Sequence, residues 1–143
     1  MSATRSRTKP AKVTLAAAEA VIAAAKEKAE ELGQPMNIAV VDAGARLVAF
    51  ARMDGSIMAS IDISQRKAYT AMMMKLPTHA LAEITQPGQP LYGLEHSSGG
   101  LVSFGGGVPL IGRGGEVVGA VGVSAGSVEQ DQEVAEAGAA AFA

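Results

Sequence analysis

Three consecutive glycines, Gly105, Gly106 and Gly107, stop abruptly at the run Val108-Pro109-Leu110-Ile111. Residues without side chains let successive N–H groups converge on one point, which is chemistry for holding an anion, and they let a ligand or a second subunit approach bare backbone. The same pattern also makes a tight turn into a strand. Lys67 and Arg52 are the cations that would balance a bound anion, and Asp42, Asp54 and Glu95 are the carboxylates available as proton acceptors beside it.

His79 and His96 are the two imidazoles of the chain. Neither belongs to a His-x-x-x-His or Glu-x-x-His spacing, so a metal site built from several protein ligands is not supported. What is left for each is service as a single axial donor, and haem iron needs one such donor together with an apolar slot. Ser64-Gln65-Arg66-Lys67 matches the Ser-x-x-Lys of serine acylases, but the companion motifs are absent and the chain is too short for that fold. The glycine triplet is followed by Val-Pro-Leu and no Gly-Lys-Ser/Thr occurs, which argues against a Walker loop or a dinucleotide fingerprint.

A short series of elements must position these groups. Leu15, Ala18, Ile22, Ala25, Ala29 and Leu32 recur with helical period, and Gly33 followed by Pro35 ends that helix. Residues 37–42 read as a buried strand, Ala43-Gly44 as a turn, and 46–53 as the returning strand of a hairpin. From about 57 to 76 the composition suits a methionine-bearing helix that Pro77 stops. On it Ser60, Ser64, Lys67 and Ala71 share one face, a polar stripe of the kind that usually meets water, with Lys67 aimed at the glycine loop if it serves a ligand. Thr78 caps a short helix through about 84, and the segment to Gly100 is loop.

Residues 108–111 and 116–124 make a second hairpin around Gly112-Arg113-Gly114-Gly115. Alternation places Val117, Gly119, Val121 and Val123 on one face of the last strand and Val118, Ala120, Gly122 and Ser124 on the other, where missing side chains favour close helix packing. Ser127 and Gln130 have capping-box spacing at the start of a terminal alanine-rich helix. Two hairpins imply antiparallel pairing, hence an α+β domain with helices packed on one sheet.

The 143 residues suit one domain, read as 12–143 behind a flexible basic tail over residues 1–11 that carries Arg5, Arg7 and Lys9. Twelve Lys+Arg against fourteen Asp+Glu give a formal charge of −2, so there is no basic footprint for nucleic acid or an anionic bilayer. The absence of cysteine excludes disulfides, thiolate catalysis and cysteine-ligated metals. Leu15-Ala16-Ala17-Ala18 behind the basic start mimics a secretory signal, but Glu19 interrupts it and Lys26, Glu27 and Lys28 follow; the reading is cytoplasmic, without a membrane span.

In their order and spacing, Ile38-Ala39-Val40-Val41-Asp42-Ala43-Gly44, Leu47-Val48-Ala49-Phe50-Ala51-Arg52-Met53-Asp54-Gly55, Lys67-Ala68-Tyr69-Thr70-Ala71, Gly106-Gly107-Val108-Pro109, and Gly119-Ala120-Val121-Gly122-Val123-Ser124 leading to Glu129-Gln130-Asp131 resemble the GlcG/HbpS family, related to the C-terminal domain of PduO-type proteins. The resemblance implies a profilin-like fold with an antiparallel sheet of about five strands, self-association into dimers or larger assemblies, and haem binding or haem degradation in some members. His79 and His96 lie outside the shared motifs.

The expectation is therefore a haem-binding protein, with weak haem degradation as its extension. The alternatives are a cofactor-free enzyme or sensor that binds a small carboxylate at the glycine loop, and an accessory structural oligomer. Gly105, Gly106, Gly107, Lys67 and Arg52 are the expected ligand contacts, and His79 and His96 the candidate donors to haem iron. The expected partners are copies of the chain itself and haem or a small organic anion, with neither nucleic acid nor membrane.

Overall fold

Thr14 starts the first helix, α1 (Leu15–Leu32), by accepting the Ala17 N–H on its hydroxyl at 3.1 Å, and Gly33 closes it in the left-handed conformation. The computed structural model describes residues 9–143. The tail expected over residues 1–11 thus lies outside the described residues as far as position 8. Beyond it, the Lys9 ammonium donates to the Phe142 carbonyl and the Lys9 carbonyl accepts from Arg113 Nε, both at 3.1 Å.

After α1 come β1 (Asn37–Val41) and β2 (Leu47–Arg52), joined by a turn in which Asp42 Oδ1 accepts the N–H groups of Gly44 at 2.9 Å and Arg46 at 3.1 Å. Next is α2 (Ala59–Met74), followed by short 3₁₀ turns at Thr78–Leu81 and Leu94–His96, then β3 (Gly107–Ile111), β4 (Val117–Ser124) and α3 (Val128–Ala140). Ser127 and Gln130 form the capping box of α3. No helix among the described residues is long and apolar enough to cross a membrane.

The strands form one antiparallel sheet in the order β2-β1-β4-β3. Among the described residues four strands stand where about five were expected. The reason lies between Thr78 and Gly107, where left-handed backbone at Gly88, Gly93, Ser98, Gly99 and Gly100 keeps the chain turning and leaves no extended run to pair.

Helices cover both faces of the sheet. Ile38, Val40, Val121 and Val123 pack with Val21, Ala25 and Ala29 of α1 and Val134 and Ala135 of α3. On the opposite face Ala39, Val41 and Ala120 pack with Ala68, Ala71 and Met72 of α2. Simple alternation fails at the start of β4, because a bulge opposite Leu110/Ile111 shifts the register there. Val118 consequently joins the core of Val121 and Val123, whereas Val117 packs toward Ala120.

Candidate functional site

Gly122 seats α2 on the sheet. A Cβ at that position would strike the Ser64 carbonyl and stand 2.5 Å from the Ala68 nitrogen, so helix backbone rests directly on strand backbone. The close approach turns the polar stripe of α2 inward. Ser60, Ser64, Lys67 and Ala71 are all buried, and the Ser60 and Ser124 hydroxyls hydrogen-bond across the contact at 3.0 Å. Of the three successive methionines, Met72 is buried and Met73 is exposed.

Lys67, 0% exposed, extends along the sheet until its Nζ donates to Asp131 Oδ2 and to the Val123 carbonyl, each at 2.9 Å. Its ammonium also lies 5.0 Å from the centre of the Phe104 ring. Asp131, in the first turn of α3, accepts the Gly126 N–H on its other oxygen at 2.9 Å. Burial pushes the Lys67 ammonium below its ordinary value and the Asp131 carboxyl above its own, each opposed by the hydrogen bond and charge of the other.

The glycine triplet wraps this ion pair. Gly106 has φ +124°, and a Cβ on it would lie 2.6 Å from Lys67 Nζ and 2.5 Å from the Val123 carbonyl oxygen. The residue must be glycine for the loop to pass over the lysine. Its carbonyl accepts the Val123 N–H at 2.8 Å and its N–H donates to Gln132 Oε1 at 3.0 Å. The Gly107 N–H donates to the Thr78 hydroxyl at 2.9 Å. Thr78 therefore ties the glycine loop down, and the cap expected of it falls to Pro77, which has no side-chain hydrogen bond to give. Two amides and the ammonium that an anion would use are thus engaged within the chain, and an anion here would have to displace them.

The outer side of the same corner is different. A Cβ on Gly105 would lie 3.4 Å from His79 Cβ and 3.2 Å from Val128 Cγ1. His79 is exposed, and so are Phe104 at 42% and Val128 at 43%. Gly105 is buried beneath His79, Val128 and Gln132, whose Oε1 would lie 3.1 Å from the same point. Of the expected residues, the structure brings together Gly105, Gly106, Gly107, Lys67 and His79.

Arg52 is not among them. It ends β2, on the opposite edge strand from Gly107, which lines up with Phe50, so Arg52 lies more than about 14 Å away, three strand spacings across and two residues further along. There it lines a cavity of about 390 Å³ with Lys26, Glu30 and Asp54. His96 is exposed on its own 3₁₀ turn, where Glu95 accepts the Ser103 hydroxyl at 2.6 Å. That hydrogen bond holds the Glu95 carboxyl below the ordinary value, which disfavours it as a base. Two residues on, Ser98 and Gly99 rim a cleft of about 380 Å³ floored by Val41, Ala45 and Leu47, with Arg66 and Tyr69 bound to the rim carbonyls.

Asp131, Gln132, Thr78 and Phe104 complete the corner, although none of them is among the ligand contacts expected from the sequence. The available signal was an acid one turn into a capped helix, together with a lone lysine among the small residues of α2. Nothing local links positions 64 residues apart. Among the described residues no three His, Cys, Asp or Glu side chains gather to hold a metal ion.

The architecture defines a class of small α+β proteins: an antiparallel sheet between two helical layers, with a buried lysine–aspartate pair under a glycine loop. Within that class the chain belongs to the HbpS-like family, whose profile, described as haem degrading protein HbpS-like, matches residues 13–140. It is 44% identical over 127 residues to an uncharacterized 15.0 kDa protein of the dhaT-dhaS intergenic region of Citrobacter freundii, covering 88% of this chain and 89% of that one. It is 42% identical to the corrinoid adenosyltransferase PduO of Citrobacter freundii over 83% of this chain, but spans only 36% of that longer protein. The crystal structure of a PduOC:heme complex superposes with a TM-score of 0.85 at 38% identity, over 90% of this chain and 94% of that one.

Proposed function

We propose that the chain binds haem at the outer side of the glycine corner, with His79 as the axial donor and Phe104 and Val128 as the apolar surface. The observation that carries this reading is an exposed histidine whose Cβ packs beside Gly105, at the same corner as the exposed side chains of Phe104 and Val128. Haem asks for such a donor and such a surface. The likeness to a protein solved as a haem complex supports the choice of ligand. Bound haem would supply redox-active iron; the chain's own part is to orient the imidazole and to hold Phe104 in place over Lys67. Self-association is the expected companion of this reading. Degradation of the ring is its finer extension, and the cytoplasm its expected location.

Haemin titrated into the apo protein is expected to give a saturable Soret shift, and His79→Ala is expected to weaken binding about tenfold or more, a loss of roughly 1.4 kcal/mol or more. His96→Ala leaves the affinity in place. Loss on His96→Ala alone would move the donor to the cleft by Ser98. Uptake that never saturates, or that neither variant alters, would overturn haem binding as the function of the site.

A further inference from the structure

The two edges of the sheet are built differently. β3 carries Pro109, which has no N–H to offer a neighbouring strand. β2 carries neither proline nor lysine, and its first five residues, Leu47-Val48-Ala49-Phe50-Ala51, are uncharged. Every residue of β2 keeps some exposure, and no described strand pairs with its outer edge. Its one irregularity, a bulge between the partners of Val40 and Val41, lies toward the Leu47 end and leaves 49–52 regular. A bare apolar edge of this kind is a template for another strand.

We infer that the edge is completed by a second copy of this chain, β2 pairing antiparallel with β2 about a two-fold axis at Phe50, so that two four-stranded sheets become one of eight. The inference rests on the self-association included in the proposed function and names the surface that performs it. Charge selects the antiparallel sense: Arg46 precedes the strand and Asp54 follows it, so this alignment sets Arg46 of each copy toward the Asp54 end of the other, whereas a parallel one would set like against like. Apolar surface agrees. α2 lies over β4, β1 and β3 and of β2 meets Phe50, which packs against its buried cluster; beside it Leu47 is 49% exposed at one end of the strand, with Ile57 at 59% and Met58 at 73% beyond the other. The two-fold places Leu47 of each copy near Ile57 and Met58 of the other, covering all three. The same patch thus serves both copies, as a closed two-fold interface requires.

Because the chain has no cysteine, single cysteines report this register cleanly. Directly opposed residues of an antiparallel pair stand about 4.5–5.5 Å apart, inside the span a disulfide bridges. Under mild oxidation of the apo protein, Phe50→Cys is expected to form a covalent dimer, Ile111→Cys on the β3 edge to stay uncrosslinked, and Leu47→Glu to halve the mass measured by light scattering. A wild-type oligomer in which Phe50→Cys crosslinks no more than Ile111→Cys, and in which Leu47→Glu keeps the full mass, would overturn this surface while leaving self-association standing. A wild-type monomer would overturn both. Working without haem keeps each outcome separate from the haem reading.

Discussion

Lys67→Met is expected to cost about 3–5 kcal/mol of folding stability, because it leaves the Asp131 carboxylate buried without its counter-charge. The Lys67→Met/Asp131→Leu double variant should recover most of that loss, since removing both charges also removes the desolvation penalty each one carries. Residual loss in the double variant reflects the Val123 carbonyl and the Gly126 N–H, which the pair now satisfies. Urea unfolding of the three proteins measures this directly.

The pH dependence follows from the two directions of shift. Asp131 is raised from 3.8, so over the window from 3.8 up to its folded value the native state binds more protons than the unfolded chain, and stability falls as pH rises. Lys67 is lowered from 10.5, so between its folded value and 10.5 the unfolded chain binds more protons, and stability rises with pH. The pair should therefore cost wild type stability on leaving acid, against the opposite contribution of Glu95, and return some in alkali. Lys67→Met should enlarge the Asp131 contribution to the acid slope, because nothing then pulls Asp131 back down, and the double variant should remove the pair's contribution to both slopes while keeping that of Glu95. A wild type whose midpoint does not move in either window would show that the pair is hydrated in solution.

Gly122→Val is the second large effect, expected at about 3 kcal/mol, the upper part of the range for overpacking. The clash is with helix backbone, at the Ser64 carbonyl and Ala68 nitrogen, and no rotamer change relieves it. Relief requires α2 to lift from β4, which separates the Ser60–Ser124 hydrogen bond and draws Lys67 away from Asp131. Gly122→Ala meets the same atoms with less bulk and should lie between. A Gly122→Val protein with wild-type urea midpoint would mean that α2 does not rest on the strand.

What could be read before the fold was known was whatever a local pattern decides. The helix from Leu15, the Gly33 stop, both hairpins and the Ser127/Gln130 box each depend on neighbours within a few positions, and each stands in the structure, although the buried stripe starts at Ala18 and includes Val21 while Leu15 is exposed. The stripe of Ser60, Ser64 and Lys67 misled because polarity usually marks a wet face, whereas here small side chains serve close packing and the one large polar group finds a carboxylate on another helix. The glycine triplet announced a need for bare backbone but not its cause, which is the lysine chain passing beneath Gly106. Arg52 and Lys67 read as companions because both are cations in shared motifs. Strand order, which separates them, is not written in either motif.

The haem-loaded protein, crystallised and solved, tests the central claim most directly. The account predicts the macrocycle lying against Phe104 and Val128 with its iron bonded to the His79 imidazole, and Gly106 and Gly107 still hydrogen-bonded to Gln132 and Thr78. Iron bonded elsewhere, or a ring lodged in the cleft by Ser98 with His79 untouched, would contradict it.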